Sequence, residues 1–117
     1  MNRKILALDQ SSHVTGYSVF IEGRLEAFGH FTFKNEDMGM RLVKIRQQIL
    51  NLINTYNINE VIIEDIQLQS NVGNNVVTFK TLAEVYGVIY ELVSELELKF
   101  TSVLASSWKS KLKLKSR

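Results

Sequence analysis

The 117-residue chain contains no cysteine and no proline. Without cysteine there can be no disulfide scaffold and no thiolate zinc site, which fits a reducing, cytosolic setting. Without proline, nothing breaks a long helix at the backbone. Long apolar runs are also lacking, and none approaches the roughly 20 residues of a membrane-spanning helix. The amino terminus, Met1-Asn2-Arg3-Lys4, leads into too short an apolar stretch for a secretory signal. No small-residue cleavage site follows it. The expectation is a cytoplasmic protein with no membrane partner.

Acidic residues are missing from one place in particular. Residues 109–117 hold Lys109, Lys111, Lys113, Lys115 and Arg117 and no acid, whereas the other 108 residues carry nine basic against twelve acidic groups. The net charge of +2 is therefore a property of the tail. Such a block reads as an arm for a polyanion or as a solvated terminus.

What is present suits one α/β domain. The length fits a single unit, and a hydrophobic share of 45% can fill a core. Short apolar runs at residues 4–9, 16–22 and 25–33 predict three strands, the last two joined by a tight turn at Glu22-Gly23-Arg24. Short links make them an antiparallel meander. Met38, Leu42, Ile45, Ile49, Leu52, Ile53 and Tyr56 recur at spacings of three and four, which predicts a helix. Asn35 or Asp37 is its expected cap, and Tyr56-Asn57-Ile58-Asn59 its end. Residues 61–66 predict a fourth strand, parallel to the first through a right-handed crossover. After the polar stretch from Gln67 to Asn75, the positions Phe79, Leu82, Ala83, Tyr86, Ile89, Tyr90, Val93 and Leu96 mark a second helix. Gly87 within it predicts close approach of another backbone or a tolerated cost of about 1 kcal/mol. Residues 99–105 predict a fifth strand, parallel to the fourth, and Ser106-Ser107-Trp108 opens a third helix. The expected architecture is a mixed five-stranded sheet with helices on both faces. The last helix is too short to cover its face, so the chain is short by nature, a fragment, or completed by a partner.

Two carboxylate positions stand out. Asp9 ends the first strand, where burial without a partner would be costly. Six small or polar residues follow, from Gln10 to Thr15. Glu64, with Asp65 beside it, lies near the end of the fourth strand. If these strands are parallel neighbours, Asp9 and Glu64 emerge at the same sheet edge, where α/β proteins bind ligands. Strand alternation sends Glu64 and Asp65 to opposite faces. Glu64, directly after Val61-Ile62-Ile63, is the better partner for Asp9, with Asp65 as the competing ligand. Hard oxygen donors suit Mg²⁺ or Mn²⁺. The plainer alternative is that both acids only cap helices or pair with cations. Ser11, Ser12 and Thr15 are expected to satisfy backbone groups in the turn, and His13 to lie on its surface.

The stretch Ala7-Leu8-Asp9-Gln10-Ser11-Ser12-His13-Val14-Thr15-Gly16-Tyr17-Ser18-Val19 resembles the first motif of RuvC-type Holliday junction resolvases. Val61-Ile62-Ile63-Glu64-Asp65 resembles their second motif. Ala83-Glu84-Val85-Tyr86-Gly87-Val88-Ile89 resembles their Ala/Gly-containing helix. Val103-Leu104-Ala105-Ser106-Ser107-Trp108-Lys109 resembles the strand and helix start that carry a DNA-contacting lysine. Order and spacing agree over nearly the whole chain, and the short form resembles the phage-type branch, which implies a bacterial host cytoplasm.

The resemblance implies a ribonuclease H-like fold, a homodimer, and metal-dependent cutting of four-way or other branched DNA. Asp9 and Glu64 would be catalytic metal ligands for Mg²⁺ or Mn²⁺. Lys109, Lys111, Lys113, Ser12, Gln67, Gln69 and Asn71 would contact DNA. The family completes its site with acids on a final helix, yet nothing from 106 to 117 is acidic. The expectation is thus one domain over 1–117, incomplete at its carboxyl end, and an impaired core as a nuclease. An aromatic often follows the second-motif Glu in the family. Here Ile66-Gln67-Leu68-Gln69 stands instead, so that aromatic's role does not transfer. A non-catalytic junction-binding module is the first alternative. An actin-like or sugar-kinase-type phosphate-binding domain is the second, although the turn lacks a glycine directly after Gln10.

Overall fold

The computed structural model describes residues 2–10, 14–33, 36–64 and 76–103, with the backbone alone at 76–78. Its elements are β1 (Lys4–Gln10), β2 (Val14–Ile21), β3 (Arg24–Thr32), α1 (Met38–Tyr56), β4 (Glu60–Glu64), α2 (Val76–Glu95) and β5 (Lys99–Val103). One sheet carries all five strands in the order β3-β2-β1-β4-β5. β1, β2 and β3 pair antiparallel, whereas β1–β4 and β4–β5 pair parallel. This is the ribonuclease H-like arrangement that the motifs imply.

β1 is the spine because both of its faces are buried. Leu6 and Leu8 point to one side, with Val19, Val61 and Ile63. Ile45, Ile49 and Ile53 of α1 and Val85, Ile89, Leu92 and Val93 of α2 close over them. The four-residue spacing of the α1 isoleucines keeps them on one stripe. Ile49 and Ile89 are wholly excluded from solvent, and each such burial contributes about 1.5–3 kcal/mol. The opposite side of the sheet buries Ile5, Ala7, Phe20 and Ile62. Both described helices therefore share one face. The helix expected at Ser106, on the other face, lies outside the described residues, as do the expected strand ends at 65–66 and 104–105.

Turn chemistry fixes where the elements stop. Glu22 and Gly23 both have positive φ, 52° and 83°, the geometry of a two-residue hairpin turn whose twist matches its strands. α1 ends on Asn57 in the left-handed region, with the Ile58 amide donating to the Ile53 carbonyl at 3.0 Å. α2 ends in the same way at Glu97 (φ 58°), with Leu98 donating to Val93 at 3.1 Å. Both are Schellman-type closures. Asp37 holds the N-cap position of α1, but its side chain makes no capping hydrogen bond.

One irregularity decides which face each β3 side chain occupies. Pairing of β2 with β3 begins as Ile21↔Arg24 and Phe20↔Leu25, then jumps to Val19↔Ala27. Glu26 is the extra residue of this bulge, and beyond it every β3 side chain changes face. Ala27, Phe31 and Phe33 consequently join the helix-side core. Gly29 stands opposite Tyr17, whose ring lies across it. A Cβ on Gly29 would sit 2.7 Å from the Tyr17 hydroxyl. The same ring stacks on Phe31 with centroids 5.2 Å apart.

At the amino ends of the parallel strands, Glu60 is 4% exposed. Arg3 donates to it at 3.2 Å, and the Lys99 ammonium lies 3.9 Å away. Asn59 accepts from the Lys4 amide and donates to the Asn2 carbonyl. These contacts tie the floor of the sheet and leave its carboxyl ends to form the site.

Candidate active site

The register carries the geometry. β1 and β4 pair as Ala7↔Ile62 and Leu8↔Ile63, and the next step along both strands sets Asp9 beside Glu64. Alternation gives these two the same face as Ile5, Ala7 and Ile62, opposite to the helices. The Asp9 charge acts directly on the Glu64 carboxyl. Across β1 on the other side, Asp9 pairs with Gly16, and Gly16 pairs with His30 of β3. On the far side of Glu64 stands Val103 of β5.

Asp9 is exposed, and burial stops at Leu8. The expectation that burial would force a partner on Asp9 is therefore wrong, because the strand end projects past the core. What presses on this site is the neighbouring acid. Partial burial of Glu64 and then the Asp9 charge push the Glu64 carboxyl up to about 7. Two carboxyls on adjacent strands cannot both ionise freely without a cation between them. The donors are hard oxygens, which fit a divalent ion of the Mg²⁺ or Mn²⁺ type. Among the described residues, no three metal-ligating side chains converge.

Gln10 points to the helix side. Its Nε2 donates to the Leu82 carbonyl of α2 at 3.4 Å, and its Oε1 is buried without a hydrogen bond. It links the end of β1 to α2. Thr15, expected in the turn, lies within β2 and is buried. Ser12, Asp65, Gln67, Gln69, Asn71, Lys109, Lys111 and Lys113 all lie outside the described residues. Sequence patterns did not point to His30 or Gln10. His30 could have been found only by knowing the bulge that turns it to the carboxylate face.

No described helix is long and apolar enough to cross a membrane. No curated protein sequence matches the chain. Among solved structures, Thermus thermophilus RuvC in complex with a Holliday junction substrate is similar, at 12% identity and a TM-score of 0.77. That similarity covers 94% of this chain and 69% of the other. A second Thermus thermophilus RuvC structure gives 13% identity and a TM-score of 0.72 over the same shares. YeaZ from Pseudomonas aeruginosa gives 13% identity and 0.58, over 94% of this chain and 47% of its own. These likenesses establish the fold. The family model described as Crossover junction endodeoxyribonuclease RuvC matches residues 5–113, and on that match the chain belongs to the RuvC family of crossover junction endodeoxyribonucleases.

Proposed function

We propose that this domain binds four-way or branched DNA junctions and hydrolyses their phosphodiester backbone with a divalent cation, Mg²⁺ or Mn²⁺. The observation that carries this is the Asp9–Glu64 pair, set side by side by the parallel register, with the Glu64 carboxyl raised to about 7. Asp9 and Glu64 are the residues that would hold the ion, Glu64 in its deprotonated form. A bound divalent ion supplies water activation and charge stabilisation at the phosphorus. The exposed Asp9 and the open flank at Gly16 leave room for a phosphate to approach. Asp65 is a further ligand candidate. Lys109, Lys111 and Lys113, with Ser12, Gln67, Gln69 and Asn71, are proposed DNA contacts. The basic tail supplies the sequence-independent attraction.

The domain acts as a homodimer, since paired cuts in a junction need two sites related by symmetry. The supporting surface is on α2. Ala83, Gly87, Tyr90 and Ser94 fall on one exposed stripe, and a Cβ on Gly87 would meet nothing within 4 Å. Tyr90 is 53% exposed and stacks on Phe100. The backbone approach for which Gly87 leaves room is that of a second copy.

A synthetic four-way junction tests the reading. With Mg²⁺ or Mn²⁺ the protein should cut it, and Asp9→Asn or Glu64→Gln should abolish cutting while sparing binding. Robust cutting by both variants would refute the metal-site assignment. A second reading, a junction-binding module without catalysis, is favoured by the absence of a third convergent ligand among the described residues. Tight junction binding with no cutting in either metal would select it. The family membership fits either outcome.

A further inference from the structure

Across the carboxyl end of the sheet, one lateral row of residues faces away from the helices. It runs Val103, Glu64, Asp9, Gly16, His30, each on the neighbouring strand. The row reads as an apolar wall, two acids, a gap and an imidazole. Gly16 creates the gap, because no side chain stands between Asp9 and the edge strand. A Cβ there would make only ordinary contacts, 3.5 Å to the Asp9 carbonyl and 3.9 Å to that of Gly29. The space is thus left open without being forced by packing. His30 is exposed. On the same face of β3, two residues back, Phe28 is 55% exposed. The bulge at Glu26 is what presents both here, since an unbroken hairpin would turn them toward the helices.

We propose that His30 is a substrate-binding residue, whose imidazole receives a backbone phosphate of the cleaved strand beside the scissile one. This rests on the nuclease reading of the Asp9–Glu64 pair. With strands about 4.8 Å apart, His30 stands roughly 10 Å from Asp9 along the row. That span corresponds to at most about three nucleotide steps of helical rise. A strand bound at the two acids crosses the Gly16 gap and meets an N–H donor on the far side. In that row the other described side chains are acidic or apolar, so His30 alone offers the phosphate a donor. Phe28 beside it gives the adjoining sugar an apolar surface. The arrangement sets the direction in which the strand lies across the sheet, from Glu64 toward β3.

The test measures binding of the full chain to a four-way junction whose phosphates are replaced one at a time by neutral methylphosphonates. Asp9→Asn protein is used to prevent cutting. One phosphate within about three steps of the cleavage point should lose about tenfold or more in affinity when neutralised, the scale of one charge-assisted hydrogen bond. In the His30→Ala background the same replacement should have no effect. Arg24→Ala, at the far end of the same strand, should keep the wild-type pattern. Identical scans with and without His30 would overturn the inference while leaving the nuclease reading intact. If no junction binding is seen with intact DNA, both fall together. A uniform loss of affinity in His30→Ala, with the phosphate-specific sensitivity retained, would show a structural effect and also overturn it.

Discussion

Replacing Glu64 by glutamine should make the metal-free protein more stable, and only above acidic pH. In the folded chain the Glu64 carboxyl titrates near 7, against 4.5 for an unperturbed glutamate. Partial burial is the larger cause, followed by Asp9. Between these two values the folded state binds more protons than the unfolded state. Stability must then fall as pH rises, with a slope set by that proton difference. The loss begins above about 4.5 and is complete above about 7. The interval between those values corresponds to about 3 kcal/mol at most. Solvent screening at this partly exposed position brings the expected loss to about 1 kcal/mol. Glutamine keeps the shape of the side chain but carries no charge. In chelator-treated protein, urea unfolding of wild type and Glu64→Gln should therefore agree near pH 4.5 and diverge by about 1 kcal/mol at pH 8, with the variant ahead. For a domain this size that is a shift of about 4 °C in Tm. Adding Mn²⁺ at pH 8 should reverse the order, because binding at tenfold its Kd stabilises wild type by about 1.4 kcal/mol. Parallel pH curves for the two proteins, or a wild type that gains stability toward pH 8 without metal, would refute the reasoning.

Other substitutions probe the frame around the site. Gly29→Val should cost about 1–3 kcal/mol in urea unfolding, because its Cβ would meet the Tyr17 ring at 2.7–2.9 Å and unseat the stack on Phe31. Arg3→Ala should destabilise by about 1–3 kcal/mol, since Glu60 would stay buried with the more distant Lys99, 3.9 Å away, as its counter-charge among the described residues. Glu97→Gly should raise stability by up to about 1 kcal/mol, as glycine adopts the positive φ of 58° at the end of α2 without a Cβ penalty. The measurement is again equilibrium unfolding, and a loss of stability in Glu97→Gly would contradict the account.

Periodicity made most of the frame legible. The isoleucines of α1 recur every four residues, and the observed helix spans the same Met38–Tyr56 that their spacing marks. Strand direction followed from connection lengths, since the nineteen-residue helix joining β3 to β4 permits parallel strands and the two-residue turn between β2 and β3 does not. Alternation allows only one of Glu64 and Asp65 to face Asp9, and Glu64 was the choice because it directly follows Val61-Ile62-Ile63; one step beyond the observed Leu8↔Ile63 pair, Glu64 stands beside Asp9. Three things were hidden. Asp9 is exposed because its strand outruns the core, and apolar runs do not report where solvent begins. Thr15 belongs to β2, because Val14 extends the strand two residues before Gly16. His30 was invisible because one extra residue in β3 decides which face it occupies. A bulge is a matter of backbone pairing that composition does not announce.

The bulge at Glu26 also constrains how this hairpin can vary among related chains. A side chain in β3 is assigned to the helix face or the carboxylate face by counting back from the turn at Glu22-Gly23. Losing one residue between Arg24 and His30 would exchange Ala27, Gly29 and Phe31 for Phe28 and His30. Aromatic and polar groups would go into the core and a bare glycine beside the acids. Changes of length in this strand are therefore tolerable in pairs and harmful singly. Parity, more than the identity of any single residue, is what inheritance must preserve along this edge of the sheet.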